Sequence, residues 1–597
     1  QTIQSFFSPY RVKVNVEPPD PYGEYENMAV IIVDGKEVQI GDDEKLNCIQ
    51  AADRAGVAIP FYCWHPGLTV VASCRMCLIE TGQKNKDTGK IEMVPKLVPG
   101  CQTPVKDGTV IVTNSPKVKA NQQFVQEGIL LDHPVDCPIC DQAGECWLQD
   151  YYFNNGHKER QADIHPFTSE RKELGPHVTL FTDRCVMCSR CVRFTREISG
   201  EAELQIINRG SHAEIDIFPG YPIDNSLSGN VNDLCPVGAL CSSDFLYQQR
   251  VWFLEPHDSV CVKCSTGCSV QLHENHDQLY RVQPRYNPNA NEWWMCDKGR
   301  YENQYINAPE RIGGAKKRGR DQFEHVEWST ATTEIQKHFA DTVTHQGGKA
   351  VAAVVSPFLT CEEAYLLCRY IKKNVSAEAT LVLGKIPLAD KDESFAKGFT
   401  IRAERCPNRK GVEEILKHFQ PDFLNWDQFL TQADAGQWKA AYITGLYPES
   451  WNTDADASRL DKITLKIVQD VLPSPIARKA SYVLPGVTFA EKGGSYVNHA
   501  GLIQMTDWAI RPFEAAHIDG QIFFDLLGLR GLYQPAEVLK ELAAEIAFFA
   551  RTATGIPDGG LNLVTGTEKT PRTSQLGTVT HPIPTFRSVA SEMLEVE

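Results

Sequence analysis

No stretch of this 597-residue chain reaches the ~18 consecutive apolar residues that a membrane-crossing helix needs, so no bilayer span is expected. Basic charge is also in short supply. Lys and Arg number 60 against 76 Asp and Glu, a formal net charge of −16; so acidic a chain repels phosphate backbones, which argues against non-specific nucleic-acid binding. Residues Gln1–Tyr10 lack the basic start, apolar centre and cleavage site of a secretory leader, so none is expected, and the absent initiator Met points to a trimmed or renumbered terminus. No GxGxxG follows a strand-like run and no GxxxxGK[ST] occurs, so no motif nominates a nucleotide site. What remains is an ordinary globular composition, 42% hydrophobic and 23% charged, long enough for about three to five domains.

The cysteines depart from that ordinariness. Seventeen of the 20 precede residue 300, and several lie two residues apart. Without a secretory leader the chain is expected to be intracellular, where disulfides are rare and close-spaced cysteines serve as metal ligands or redox pairs.

Along the chain, residues 1–27, with Pro18-Pro19-Asp20-Pro21, suggest an extended arm. Met28–Val33, Asp34-Gly35 and Lys36–Ile40 spell a β-hairpin, Asp-Gly supplying the positive φ angles of a type I′ turn. A helix is expected over 44–55 with Gly56 as its C-cap, and a second from Ser115-Pro116 to about Leu131, stopped by His133-Pro134. Residues 180–250 divide into short, turn-rich segments, and strands are expected at Ser269–Leu272 and Gln278–Val282. Gly313–Arg320 has the composition of a basic linker. Beyond it, Lys349–Val355 and Thr380–Leu383 read as strands around a helix over Glu362–Asn374, with further strands at Ala440–Thr444 and Ala480–Leu484. That alternation predicts a parallel sheet with helical crossovers. Residues 552–597, rich in Thr, Gly and Pro, resemble a tail or surface-wrapping segment.

Four ligand sets emerge from the spacing. Cys63-x10-Cys74-x2-Cys77-x23-Cys101 has the general layout of a [2Fe–2S] ferredoxin site, with a longer first gap than the plant type; zinc is the rival. Ser73, Arg75 and Met76 are expected to pack around these ligands, Arg75 favouring the reduced state. His133-x3-Cys137-x2-Cys140-x5-Cys146 suits either a [4Fe–4S] cluster or a three-cysteine, one-histidine zinc site. One imidazole for one thiolate removes a negative charge, which shifts a cluster's potential upward. Cys185-x2-Cys188-x2-Cys191 with Cys235-Pro236 is the bacterial ferredoxin pattern for [4Fe–4S]. Cys261-x2-Cys264-x3-Cys268-x27-Cys296 leaves [4Fe–4S] and four-cysteine zinc both open. Of the remaining cysteines, Cys361 and Cys368 are expected to be buried apolar residues on a helix, and Cys241 lies near the third set without fitting it as well as Cys235; Cys48 and Cys406 are unassigned.

Several strings bring a known family to view: Phe61-Tyr62-Cys63-Trp64-His65-Pro66, Ser73-Cys74-Arg75-Met76-Cys77, His133-Pro134-x2-Cys137-Pro138-Ile139-Cys140-Asp141, Asp183-Arg184-Cys185 and Cys235-Pro236-Val237-Gly238-Ala239-Leu240. They resemble the large iron–sulfur subunit of respiratory complex I, the 75-kDa subunit of mitochondria and its bacterial counterpart of the G type, specifically over about 28–305 and more loosely to about 530. The resemblance implies one [2Fe–2S] cluster on the first set and [4Fe–4S] clusters on the second and third, relaying electrons from an NADH-oxidising flavin subunit toward quinone. The fourth set resembles an extra cluster found in many bacterial members, which favours a bacterial source. Cys296-Asp297-Lys298-Gly299-Arg300, Trp328-Ser329, Tyr482-Val483-Leu484-Pro485 and Lys492-Gly493-Gly494-Ser495-Tyr496-Val497-Asn498 resemble parts of a molybdopterin-oxidoreductase domain, here shortened, and no molybdopterin is expected.

The expected fold is therefore α+β [2Fe–2S] and [4Fe–4S] ferredoxin-like domains followed by a shortened α/β molybdopterin-oxidoreductase-like domain. The expected division is an arm at 1–27, a [2Fe–2S] domain at 28–112, the histidine-plus-three-cysteine domain at 113–160, a ferredoxin-like domain at 161–250, the fourth-cluster subdomain at 251–310, the α/β domain at 311–551 and a tail at 552–597. The implied partners are the flavin- and NADH-binding subunit, a thioredoxin-like [2Fe–2S] subunit and quinone-side iron–sulfur subunits, in a peripheral arm on the cytoplasmic side of the bacterial inner membrane. No catalytic side chain is expected. An NAD-linked formate dehydrogenase subunit is the rival; against it stand a single CxxCxxC triple and the want of a convincing molybdenum thiolate among Cys361, Cys368 and Cys406. A hydrogenase relay subunit resembles only residues 28–245, and an all-zinc scaffold requires all four sets to hold zinc.

Overall fold

The structure, a computed structural model, describes residues 28–41, 44–157, 159 and 163–569; the arm expected at 1–27 and the tail beyond 569 lie outside the described residues. Two compact units are present, one from residues up to Pro60 with Arg75–Gln122, the other from Phe61–Cys74 with Gln123 onward.

The smaller unit is built on a six-stranded sheet. Strands β1 (Met28–Val33) and β2 (Lys36–Gly41) form the expected hairpin. Asp34 and Gly35 both take positive φ, 45° and 85°, as a type I′ turn demands. β3 (Leu78–Lys84), β4 (Ile91–Met93), β5 (Val98–Pro99) and β6 (Thr109–Val112) complete the sheet in the order β2-β1-β6-β3-β4, with β5 also on β3. Helix α1 (Cys48–Arg54) starts later than the composition suggested, because Asn47 and Gln50 form a capping box there. Gly56, at φ 71°, follows its end. Ile31, Val33 and Ile111 are fully buried, each side chain contributing roughly 1.5–3 kcal/mol of apolar burial. Helix α2 (Pro116–Asp132) ends just before His133, where the following Pro134 disfavours further helix.

The larger unit begins with helix α3 (Trp147–Asn155) and a three-stranded sheet of β7 (Arg171–Glu173), β8 (Val178–Phe181) and, after an intervening hairpin β9 (Leu204–Ile207) and β10 (Glu214–Ile217), β11 (Leu240–Ser242). The short helices α4 (Arg190–Phe194) and α5 (Asn230–Leu234) lie between these strands in the chain. A meander follows, β12 (Glu255–Val260), β13 (Ser269–Asn275) and β14 (Gln278–Pro284), then helix α6 (Asp297–Tyr301).

Seven strands make the main sheet: β15 (Lys316–Arg318), β16 (Phe323–His325), β17 (Val351–Val355), β18 (Thr380–Leu383), then, past a small hairpin β19 (Glu393–Ser394) and β20 (Thr400–Ile401), β21 (Ala440–Thr444), β22 (Leu465–Asp470) and β23 (Tyr482–Pro485). Their order is β16-β15-β23-β22-β21-β17-β18, with β23 through β18 all parallel. Every residue of β17 and β21 is buried, which is why these strands read as continuous apolar runs. The segment expected to be a basic linker instead contains β15, antiparallel to both β16 and β23. Charge is tolerated there because the β15–β16 hairpin forms the sheet edge; Lys317 pairs with Glu334 at 2.8 Å. Likewise part of the expected tail is structured: Leu561–Asn562 pairs with the strand Leu502–Thr506.

Helix α7 (Trp328–Gln346) precedes β17, and α8 (Cys361–Arg369) follows it, opened by a capping box of Thr360 and Glu363. Around the start of α8 lies a buried polar network. Lys492 Nζ donates to Glu363 at 2.8 Å and Asp519 at 2.9 Å, all three fully enclosed, and Glu362 accepts from the Ser495 amide and hydroxyl at 2.8 and 2.7 Å. Burial works against the Lys492 charge, but Asp519 and Glu363 outweigh it and keep the ammonium protonated. Burial pushes the Glu363 carboxyl up to about 7, Lys492 opposing and Asp519 adding to the rise. The sign follows: the native state holds this proton more tightly than the unfolded chain does. The associated stability is complete below about pH 4.5 and is lost as pH rises toward 7. Denaturant melts of wild type and Glu363→Gln across that window should therefore differ in slope, the wild type losing stability with rising pH and the variant lacking this component.

Candidate metal centres

None of the twenty cysteines is paired in a disulfide. The first set divides between the two units. In the larger, the Cys74 thiol hydrogen-bonds Cys63, which is held down to about 5, while Cys74 is pushed up; Ser73 also hydrogen-bonds Cys63. In the smaller unit, Cys77 and Cys101 are buried on adjoining segments, since Leu78 pairs with Pro99 and the Gly100 amide donates to the Cys77 carbonyl at 2.9 Å. Met76 is fully buried, but Arg75 is solvent-exposed, contrary to the expectation that it packs on the ligands.

The second set gathers at the end of α2 and the start of α3. His133, Cys137, Cys140 and Cys146 line one cavity of about 410 Å³ with Leu148 and Tyr152. Burial lowers His133 to about 4, so its imidazole is neutral near pH 7 and keeps a lone pair for a metal. In the third set Cys185, Cys188, Cys191 and Cys235 face a single small cavity. Met187 and Ser189 take φ of 50° and 58°, a strained backbone that sits within the three-cysteine loop. In the fourth, the β12–β13 connection carries Cys261, Cys264 and Cys268, with the Cys261 amide bonded to the Cys268 carbonyl at 2.9 Å, and Cys296 caps α6, its Sγ accepting from the Gly299 amide at 3.4 Å. Burial, then repulsion from Cys261, Cys264 and Cys296, drives the Cys268 thiol upward. Such crowded thiols stay protonated unless a cation replaces their protons, which is the chemistry of a metal cluster site.

Two glycines open space for these sulfurs. A Cβ at Gly238 would sit 2.2 Å from Cys140 Sγ, and one at Gly299 would sit 2.9 Å from Cys261 Sγ. The spare cysteines behave as expected where an expectation existed: Cys361 and Cys368 are fully buried on α8, and Cys241 is buried beside Cys140 and Cys235.

Spacing did not reveal the buried arginines. Arg190 donates to the carbonyls of Trp64 at 2.7 Å and Leu234 at 3.2 Å and lies 4.2 Å over the Trp147 ring. Arg193 donates to the Cys63 carbonyl and to that of Cys188 at 3.3 Å, tying a loop of the first set to one of the third. Arg184 pairs with Asp136 at 3.1 Å near the second set. The Trp147 amide, next to Cys146, donates to the Pro236 carbonyl, next to Cys235, at 3.0 Å. The available signal was two arginines three apart within and just after a cysteine triple, in an acidic chain.

Sequence models of known families match in register with these sites: a 2Fe-2S iron-sulfur cluster binding domain over residues 27–116, an NADH-ubiquinone oxidoreductase-G iron-sulfur binding region over 122–161, and an NADH-quinone oxidoreductase subunit 3 ferredoxin-like domain over 175–241. A molybdopterin oxidoreductase Fe4S4 domain matches 255–308 and a molybdopterin oxidoreductase domain 424–528. The chain thus matches iron–sulfur ferredoxin-like domains followed by molybdopterin-oxidoreductase-like domains, in that order. Among curated relatives, the G-type subunit of the NADH-quinone oxidoreductase of Rickettsia felis is 32% identical over 58% of this chain and 49% of its own length. The mitochondrial NADH-ubiquinone oxidoreductase 78 kDa subunit of Neurospora crassa is 38% identical over 54% and 42%, and the 75 kDa subunit of Reclinomonas americana 34% over 59% and 49%. The chain's resemblance to the large iron–sulfur subunit of complex I is the one these relatives share, although the match spans only about half of their length. A solved NAD+-reducing [NiFe]-hydrogenase chain aligns at 23% identity over 37% of this chain and 91% of that one, with a TM-score of 0.32, too loose to carry an argument.

The crowding at Gly238 yields a test. Gly238→Ala should displace Cys140 or its own loop, costing about 1–3 kcal/mol, and in a chelator challenge the variant should release iron faster than wild type.

Proposed function

We propose that this chain is the iron–sulfur electron-transfer subunit of an NADH:quinone oxidoreductase of the complex I class. It takes electrons from an NADH-oxidising flavin subunit and passes them toward quinone, in a complex that couples this to proton translocation. The observation that carries the reading is the direct joining of neighbouring ligand sets: Arg193 bridges the Cys63 and Cys188 carbonyls, and the Trp147 amide joins Cys146 to Cys235 through Pro236. A relay needs its centres held at fixed, short separations, and these hydrogen bonds restrain the loops that hold them.

In this reading Cys63, Cys74, Cys77 and Cys101 hold one [2Fe–2S] cluster. Three [4Fe–4S] clusters are held by His133 with Cys137, Cys140 and Cys146; by Cys185, Cys188, Cys191 and Cys235; and by Cys261, Cys264, Cys268 and Cys296. When bound, the clusters supply one-electron redox chemistry. The side chains do the rest. Burial keeps water from the sulfurs, and the Met187 and Gly299 amides donate to Cys185 and Cys296 Sγ at 3.4 Å each. Such donors, and the positive charge of the buried arginines, favour the more negative redox state. No residue is assigned general acid–base work.

The partners are the flavin- and NADH-binding subunit, a thioredoxin-like [2Fe–2S] subunit and quinone-side iron–sulfur subunits, in a peripheral arm on the cytoplasmic side of a bacterial inner membrane. No helix among the described residues is long and apolar enough to cross a membrane.

Metal analysis of anaerobically prepared protein should find about fourteen irons per chain, from two in the first set and four in each of the others. Near-zero iron with stoichiometric zinc would reject the relay, and molybdenum in the same sample would favour a formate dehydrogenase. His133→Cys adds a thiolate charge, so redox titration followed by paramagnetic resonance should place the second centre at a lower midpoint than in wild type.

A further inference from the structure

The main sheet has a topological switch point. From β17 the chain moves to β18 on one side and returns to β21 on the other, so the connections leaving β17 and β21 diverge at the carboxyl ends of the strands. In open α/β sheets that crevice is where ligands bind. Here it is a cavity of about 110 Å³ reached by the segments that follow β17, β18 and β21. Its aromatic wall is closed up: Tyr447 stacks on Trp451 at 4.8 Å, and Phe358 lies 4.6 Å from Tyr447. Leu446, at φ 70°, carries backbone strain at its edge.

A molybdopterin cofactor, which two of the family matches imply, does not fit this crevice. Drug- and cofactor-sized ligands occupy roughly 300–1,000 Å³. The available space suits something only a few times the ~30 Å³ share of one water.

The charge of the lining says what that is. Lys263, Lys298, Lys385 and Arg405 line the cavity against two carboxylates, Glu302 and Glu449. Lys298 and Glu302 already pair at 3.7 Å on the exposed side. Lys385 gives one hydrogen bond to the Trp451 carbonyl at 2.8 Å, leaving two ammonium protons to direct elsewhere. Lys263 is nine-tenths buried, and its ammonium lies 5.1 Å from the Tyr305 ring centroid, with no hydrogen bond or ion pair among the described residues. The Arg405 guanidinium likewise has no such partner there, and its Nη1 is buried. Cys261, Glu302 and Glu449 answer the Lys263 charge only from a distance, and Arg405 is half-buried, so four cations against two carboxylates leave the crevice net positive. Lys263, beside Cys261 and Cys264, can answer to a neighbouring thiolate; Arg405 and Lys385 belong to the sheet side.

We propose that this crevice is a binding site for a small tetrahedral oxyanion of the phosphate class, gripped by Arg405 and Lys385 on the sheet side. The site is independent of the electron-relay reading, since it needs only the folded larger unit.

Isothermal titration calorimetry on the intact, cluster-loaded chain tests it, with inorganic phosphate as the probe. One equivalent should bind saturably. Arg405→Gln and Lys385→Gln, neither a cluster ligand, should each weaken binding about tenfold or more, as loss of a charge-assisted hydrogen bond does. Lys540→Gln, at an exposed side chain elsewhere in the larger unit, should bind as wild type does. No saturable heat with wild type overturns the proposal, as does unchanged affinity in both crevice variants or equal weakening in the Lys540 control. A guanosine diphosphate arm separates a free oxyanion from a phosphate ester: phosphate binding that the nucleotide fails to displace supports the small site, and tighter, competitive nucleotide binding overturns it.

Discussion

Burying close-spaced sulfur is the constraint around which this protein is organised. Fifteen cysteines and one histidine fall into four sets, and most of those sulfurs are withdrawn from water. A protonated thiol is comfortable in such surroundings; several thiolates together are not, unless cations share the space. The interior supplies fixed positive charge in Arg184, Arg190 and Arg193, and backbone amides aimed at Cys185 and Cys296. The same arginines serve as struts, because each guanidinium has several donors in a rigid fork and spends them on neighbouring carbonyls or a carboxylate.

The C-terminal half answers to a different demand. Its parallel sheet is sealed by apolar strands, yet it encloses the Lys492, Glu363 and Asp519 triad and the Arg311–Glu491 pair. Buried ion networks of this kind seldom raise stability over an apolar core, but removing one member leaves an unpaired charge. The domain therefore encloses an interior with several polar groups that depend on one another for their partners. Its switch-point crevice, with aromatic rings drawn together and cations left facing inward, has the same character.

Much of this could be read from the residues because the deciding physics is local. Asp34-Gly35 specifies its turn through backbone conformation alone, and the runs forming β17, β18 and β21 are short, apolar and bounded by breakers. The second, third and fourth ligand sets were legible because most of their ligands lie within one loop, and the structure brings each of these sets together. What stayed hidden depends on distant partners. Lys316–Arg318 looks like a linker until β23, some 165 residues on, offers a strand to pair with. Arg75 sits between two ligands in sequence but points to solvent, while the buried charge comes from Arg190 and Arg193, whose acceptors at Trp64 and Cys63 are over 120 residues away. The need for glycine at 238 arises from a sulfur nearly a hundred positions earlier.

The bond from the Trp147 amide to the Pro236 carbonyl has a practical corollary. It staples the cysteine loop before α3 to the one after α5, so neither is a free-standing module despite their separate family matches. Cutting the chain between them would leave one peptide group on each fragment facing solvent and strip Trp147 from beneath Arg190. Reassembly from separately expressed pieces would then have to rebuild that seam before either loop regained its native shape.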